Sequence, residues 1–462
     1  MKDKQLTLIR GKHLVTVNAN DEIFEDGLVA VEGDRIIDVG PYQALAEKYR
    51  NAEHAKRLDY PQGMILPGLV SNHTHTDQCL MRSIGCHLSM EDWVVKVVYQ
   101  MGTQMGREEN YDAARLNMLE MISNGTTCFA DSHFVNYAKD GVDGIAQAMA
   151  EMGMRGYLSR GTINEHPYPG IPDSIIEDVE LVREEAIRCI ETYHRSQNQR
   201  IRVSVEPICV TDCSEEMMLM LYGLAEQYDT MFQIHAVETY PELCTVRGQY
   251  GYGEIEYLER RGMLSERTLL IHSIWISAAE KMLIAQRRAK VNHNPVGNML
   301  LGDGVAPILD LLALGVDVGL GVDGSASNNN QDMVETMKTC ALLHRNASLD
   351  AKALTAYQVL KLATIGSAKT LHWDDEIGSL EPGKKADLIV VDLTSPAMTP
   401  DIAPVNNFVF AGNGRDVSTV MIDGQLIMDK RIFLQADADE IIARANRSAR
   451  RMAKAAGVYK YI

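Results

Sequence analysis

The chain has 462 residues, 46% of them hydrophobic and 23% charged, with a formal net charge of −18 at pH 7. That length allows one large barrel or roughly two to three domains. The composition is that of a soluble globular protein, and the acidic balance excludes a nucleic-acid or anionic-membrane binder, which needs a basic footprint.

The first sixty-odd residues alternate and turn as short strands, in "LTLIRG", "HLVTVN" and "GLVAVEGDRIIDVG". "VEGDR" marks a tight hairpin. "MKDKQLTLIRGKHLVTVNAN" has no signal-peptide apolar core and reads as a strand. No stretch reaches the roughly 18 unbroken apolar residues of a membrane span. The eight cysteines are scattered without a CxxC pair, which points to reduced thiols and a cytoplasmic location.

From about residue 64 the rhythm changes to apolar, β-branched runs alternating with helical stretches, the signature of parallel βα units. The candidate strands are 64–73, 126–131, 156–161 and 202–207, then 231–236, 268–273, 290–294 and 316–323. Helical patterns such as "YDAARLNMLEMISNG" and "SIIEDVELVREEAIRCIETYH" separate them. Eight such units match a (β/α)8 TIM-like barrel in number and size. Past residue 378 short strands return in "ADLIVVDL" and "VSTVMIDGQLIMDKRIF", where "DG" signals a hairpin. The reading is α/β: a barrel at 64–377 and a small β-sandwich built from both termini, 1–63 and 378–462, with a terminal helix.

In such a barrel, side chains at the C-terminal ends of the strands share one pocket. His73 and His75 end the first strand on one side of it. His235 ends the fifth, His272 the sixth and Asp323 the eighth. Singly, each has a plain structural explanation: a core histidine, or a turn residue in "GVDGSAS". All of them falling on one face of one architecture points instead to a site. Three imidazoles and a carboxylate suit Zn²⁺, with Fe²⁺ as the alternative. Glu238 in "HAVET" adds a carboxylate beside a presumed ligand for acid/base work.

These motifs resemble the amidohydrolase superfamily, in the branch holding adenosylhomocysteine/methylthioadenosine deaminases, 8-oxoguanine deaminases and s-triazine hydrolases. The resemblance rests on "LPGLVSNHTH", "NGTTCFAD", "IHAVET", "LLIHS", "NHNPVGNMLLGDGVAPI", "GLGVDGSASNNNQDM" and "IGSLEPGKKADLIVVDL". It implies one metal bound by His73, His75, His235 and Asp323, with Glu238 and His272 as the proton-transfer and hydroxide-orienting pair. Binuclear relatives bridge two metals with a carboxylated lysine at the fourth strand, whereas no lysine occurs here between Lys139 and Lys281. The HxE…PCxxC signature of the other zinc deaminases is absent.

The implied reaction is hydrolytic deamination of a small aminated N-heterocycle. Asp323 or Glu238 takes the proton of water, and Glu238 protonates the ring nitrogen. Catalysis is thereby assigned to Glu238, His272 and Asp323. The same machinery serves an s-triazine chlorohydrolase or alkylaminohydrolase, or an adenosine-type deaminase. "YQMGTQMG" and "EPICVTDC" lack the glutamate and histidine that adenosine-type relatives carry there, which favours a ring without ribose. Gln78, Trp93 and Arg160 are the candidate substrate contacts. The expected partners are substrate and water, with a homo-oligomer implied by the resemblance. A non-enzymatic scaffold is the reading from another class, and retention of all six site residues argues against it.

Overall fold

The computed structural model describes residues 5–462. Residues 1–4 of the expected 1–63 segment lie outside them. The strands are β1 (Leu6–Val15), β2 (Ile23–Glu32), β3 (Arg35–Pro41) and β4 (Lys56–Pro67). Then come β5 (Leu69–Thr74), β6 (Thr126–Asp131), β7 (Arg155–Thr162) and β8 (Ile201–Pro207). They are followed by β9 (Phe232–Ala236), β10 (Thr268–His272), β11 (Lys290–His293) and β12 (Val318–Leu320). β13 (Leu388–Asp392), β14 (Val417–Ile422), β15 (Gln425–Asp429) and β16 (Ile432–Phe433) close the series.

The chain forms two compact units. One comprises Met1–Ser71, as far as it is described, with Glu120–Cys128 and Asp332–Ala436; the other comprises Asn72–Leu119, Phe129–Gln331 and Asp437–Ile462.

The first unit carries a mixed sheet of order β16-β15-β14-β13-β4-β1-β2-β3, so both chain ends contribute to it. Both expected hairpins are present. Gly33 turns at φ +65° between paired Glu32 and Arg35, and Asp423 and Gly424 both take positive φ between Ile422 and Gln425. Two successive positive φ values match the twist of flanking strands, which is why Asp-Gly is favoured there. Hydrogen bonding runs unbroken across all eight strands of this terminal sheet. β4 is the reason: it pairs parallel with β1 and antiparallel with β13. Ile9, Val29, Ile65, Val390 and Met421 share one buried apolar cluster.

The expected strand 64–73 is two strands, split at Gly68. Gly68 N–H donates to Asp387 O at 3.0 Å, and Leu69 N–H donates to Gly125 O at 3.0 Å. A Cβ at 68 would overlap Thr127, so only glycine lets the backbone change partners there.

β5 through β12 form the second sheet in sequential order, with parallel pairing between successive strands from β7 to β12. Asp323 N–H donates to His73 O at 3.2 Å, bringing its two edges together. β5, β6, β7, β9, β10 and β11 are buried at every position. That is the expectation for parallel strands covered on both faces. The expected eighth strand, 316–323, is trimmed to Val318–Leu320, and Asp323 beyond it takes φ +65°.

Cap chemistry sets the helix starts. The helix expected from Ser174 begins at Val179, where Asp178 accepts from the backbone N–H of Glu180 and Leu181 at 2.9 and 3.3 Å. The terminal helix Ala438–Ala456 belongs to the barrel unit. Its basic face is partly engaged: Arg444 Nε and Ser448 Oγ both donate to Asp112, which is 3% exposed, at 2.8 Å.

Candidate active site

His73 and His75 leave β5 two residues apart and come to rest 0% and 4% exposed. Their rings sit 4.8 Å apart, and the His235 ring lies 5.0 Å from the first and 5.4 Å from the second. Asp323 Oδ1 stands 3.5 Å from His73 Nε2 and 3.6 Å from His75 Nε2. His75 Nδ1 meets the Ser132 carbonyl at 2.7 Å. A carbonyl can only accept, so Nδ1 carries the proton and Nε2 keeps its lone pair for the cluster.

Backbone strain helps aim these groups. Val237, His272 and Asp323 have φ of 54°, 71° and 65°, the left-handed region that L side chains rarely occupy. The Asp323 carbonyl is pinned by Thr74 Oγ1 at 2.9 Å and Gln331 Nε2 at 3.0 Å. Its Oδ1 accepts from Gly324 N–H at 2.7 Å.

The electrostatics favour metal-binding forms. Burial depresses the His73 pKa to about 3, and burial with His272 and His75 puts His235 well below its ordinary value. Both imidazoles are therefore neutral at pH 7. Burial opposes the Asp323 charge, yet its hydrogen bond with His73 and the nearby imidazoles hold the carboxyl far below the usual range. The donor atoms of His73, His75 and Asp323 lie within 4.8 Å of one another, as do those of His73, His235 and His272. His235 Nδ1 is buried without a hydrogen bond. Neutral imidazoles and one carboxylate converging on one point fit a divalent metal.

Beside the cluster, His272 Nε2 lies 3.3 Å from Glu238 Oε1, and its Nδ1 lies 2.7 Å from Asn298 Oδ1. Burial, then the charges of Asp323 and Glu242, raise the Glu238 pKa well above the ordinary glutamate value. A hydrogen bond joins Glu238 to Asp303, whose own pKa is pushed up to about 8 by burial and by Glu238. Glu242 accepts the backbone N–H of Glu238 at 2.9 Å and closes a capping box with Thr239. Burial pushes Glu242 up to about 7.

The cluster opens into a cavity of about 730 Å³, counting its mouth, lined by His75, His235, Glu238, His272 and Asp323 with Gln78 and Trp93 among others. Gln78 is there because residue 324 is glycine: a Cβ at 324 would overlap Gln78 Oε1. Arg160 is not brought to the cavity. Its guanidinium is held by Glu177 at 2.6 and 3.1 Å, with both side chains buried. A buried arginine with a bidentate carboxylate partner is committed to that pair.

Several contributing residues were not evident from sequence. Glu206, 0% exposed, accepts from Ser132, Ser159 and Gln233 at 2.7, 2.8 and 2.9 Å and lies 3.4 Å from His235 Nδ1. A carboxylate ending an apolar strand, in "VSVEP", was its signal. Asn298 and Asp303 come from the loop and helix after β11, where no periodicity flags them. Asp212 and Glu242 also line the cavity.

A parallel barrel holding a three-histidine, one-aspartate cluster at its strand ends, with an adjacent buried carboxyl–imidazole pair, defines a metal-dependent hydrolase class of site. Comparison with known proteins makes this specific. The Amidohydrolase family model matches residues 64–427, and the chain belongs to that family. It is 33% identical to a 5-methylthioadenosine/S-adenosylhomocysteine deaminase of Pelotomaculum thermopropionicum, covering 96% of this chain and 98% of that one. An adenosine deaminase from Xanthomonas campestris, solved with bound zinc, superposes with a TM-score of 0.88 at 27% identity, covering 97% of this chain and 98% of that one. An atrazine chlorohydrolase from Arthrobacter aurescens, complexed with zinc, gives 0.88 at 25% identity over 96% and 100%.

Proposed function

We propose that this chain is a metal-dependent hydrolytic deaminase that releases ammonia from an aminated N-heterocycle. The observation that carries the reading is the convergence of His73, His75, His235 and Asp323 beside the Glu238–His272 pair, all buried and most of them lining one cavity. His73, His75, His235 and Asp323 would hold one divalent metal. Zinc is supported by the zinc-bound relatives, with Fe²⁺ as the other borderline candidate. When bound, the ion supplies a Lewis acid that makes water nucleophilic near neutral pH.

The side chains account for the protons. Asp323, held ionised, is the base that takes the proton of the attacking water. Glu238, whose raised pKa keeps it protonated, delivers a proton to the ring nitrogen next to the attacked carbon. Nε2 of His272, its ring fixed by Asn298, orients the nucleophile and stays within reach of Glu238 Oε1. The water proton then passes through Asp323 to the departing amine, the C–N bond breaks to release ammonia, and the proton of the added hydroxyl returns to Glu238 as the ring carbonyl forms. In this reading Gln78 and Trp93 contact substrate, and Arg160 acts only through its pair with Glu177.

A second reading, hydrolytic removal of chloride or an alkylamine from an s-triazine, is supported by the likeness to the atrazine chlorohydrolase. The proton machinery is indifferent to the leaving group, so the assay must decide. Ammonia, chloride and alkylamine release are measured on aminopurines, pterins, pyrimidines and s-triazines with the metal-loaded enzyme. Ammonia from an aminated ring supports the proposal; chloride or alkylamine alone supports the second reading. The proposal also includes a catalytic barrel at 64–377 and a homo-oligomer, the latter supported by exposed apolar side chains such as Tyr240, Met299 and Val305. A cytoplasmic location is supported by the cysteines, all free thiols. No helix among the described residues is long and apolar enough to cross a membrane.

A further inference from the structure

The cavity offers further hydrogen-bond acceptors beside the histidine cluster. Asp212, 4% exposed, accepts from Cys209 Sγ at 3.0 Å and Thr211 Oγ1 at 2.7 Å on Oδ1, and from Tyr99 Oη at 3.2 Å on Oδ2. Three donors fix it as an acceptor, and of the roughly four lone-pair sites of a carboxylate one remains on Oδ2. Glu242, 8% exposed, gives Oε2 to the backbone N–H of Glu238 and Thr239, which leaves Oε1 for the cavity it lines, an acceptor when ionised above its pKa of about 7. Gln78 is 3% exposed, lines the same cavity, and its Oε1 is buried with no hydrogen-bond partner. None of the described residues lining the cavity is a lysine or arginine. A buried acceptor without a donor, as Gln78 Oε1 is, is unfavourable, so a ligand that supplies N–H groups relieves it and finds free acceptor sites on the two carboxylates, whereas a phosphate or carboxylate would meet only like character.

Resting on the deaminase reading, we propose that Asp212, with Glu242 and Gln78, selects a polyamino heterocycle: a ring that presents N–H donors in addition to the amino group that leaves. These residues are specificity determinants, since they line the cavity without belonging to the metal cluster or to the Glu238–His272 pair. The reaction is otherwise the one described, with water adding to the ring carbon and the C–N bond breaking to release ammonia.

The test uses the full-length, metal-loaded enzyme and three probes: diaminopurine, its aminomethylpurine isostere and adenosine monophosphate. Binding is measured by calorimetry, and ammonia release is measured separately on the same samples. The expected result is that diaminopurine binds about 10- to 100-fold tighter than the methyl isostere, the range for a hydrogen bond to a charged group. Asp212→Asn then shrinks that ratio by a similar factor, and the monophosphate does not bind. Equal binding of the two rings by the unmutated enzyme overturns the proposal without recourse to any variant. So does failure of both rings to bind, tight binding of the monophosphate, or an Asp212→Asn variant that weakens both rings alike. Because binding is read without turnover, an intact binding preference with no ammonia contradicts the deaminase reading alone. Ammonia release without a preference contradicts only the selection by Asp212.

Discussion

Glu238 Oε1 stands 3.3 Å from His272 Nε2, while Asn298 Oδ1 holds the other nitrogen of the same ring at 2.7 Å. The imidazole is thus gripped on both sides, by a buried acid and by a neutral amide. Glu238 is placed to move a proton, and it stands outside the four residues assigned to the metal. Glu238→Gln is therefore expected to keep its metal while kcat falls by about 10²- to 10⁴-fold, the usual worth of a general acid/base. Metal analysis and steady-state rates on one preparation check this, and turnover at the level of the unmutated enzyme removes Glu238 from the mechanism.

The pH dependence follows from the sign of the shifts. In the proposed mechanism Glu238 is an acid with a raised pKa, so kcat is expected to fall as pH rises through its folded-state value. Stability shows the same sign. Asp303 binds its proton up to about pH 8 when folded, against an ordinary value of 3.8. Between those limits the folded state holds more protons than the unfolded one, so stability falls as pH rises. Asp303→Asn should flatten that part of the profile, as read from thermal midpoints at mildly acidic and mildly alkaline pH. An unchanged slope would mean Asp303 does not titrate there.

Gly324 makes room for Gln78. A Cβ at 324 would overlap Gln78 Oε1, so Gly324→Ala is expected to expel the carboxamide from the cavity wall and leave the metal content intact. KM should rise by about 10-fold, the effect of one lost hydrogen bond of ordinary strength. A KM unchanged from the parent enzyme would remove Gln78 as a substrate contact.

Asp112 anchors the terminal helix. Removing it by Asp112→Ala strands Arg444 Nε and Ser448 Oγ, which it now receives at 2.8 Å each. The expected loss is about 2 kcal/mol of unfolding free energy, measured by denaturant titration, with kcat/KM unchanged. A loss of activity without a loss of stability would contradict this purely structural role.

The juxtaposition of the candidate site residues was legible in the sequence because barrel geometry turns strand ends into one place: His73, His75, His235, His272 and Asp323 all fall where an apolar run stops. Arg160 shows the limit of that logic. It also lies near a strand end, yet Glu177, seventeen residues on, claims it, and no spacing rule announces a partner on a loop. Gly68 marks a different limit. Periodicity read 64–73 as one strand, because the residues on either side are equally apolar and only the overlap with Thr127 shows that the chain changes sheets there. Glu206, Asn298 and Asp303 act through contacts between distant segments, which local pattern cannot encode.

The central claim is that His73, His75, His235 and Asp323 bind a single catalytic ion for hydrolytic deamination. It is tested most directly by titrating zinc into chelator-stripped protein while ammonia release from an aminated ring is followed. The account predicts that activity, absent at the start, climbs in proportion to added metal and levels off at one ion per chain. Full ammonia release from the stripped protein, or a plateau reached only at two ions per chain, would contradict it.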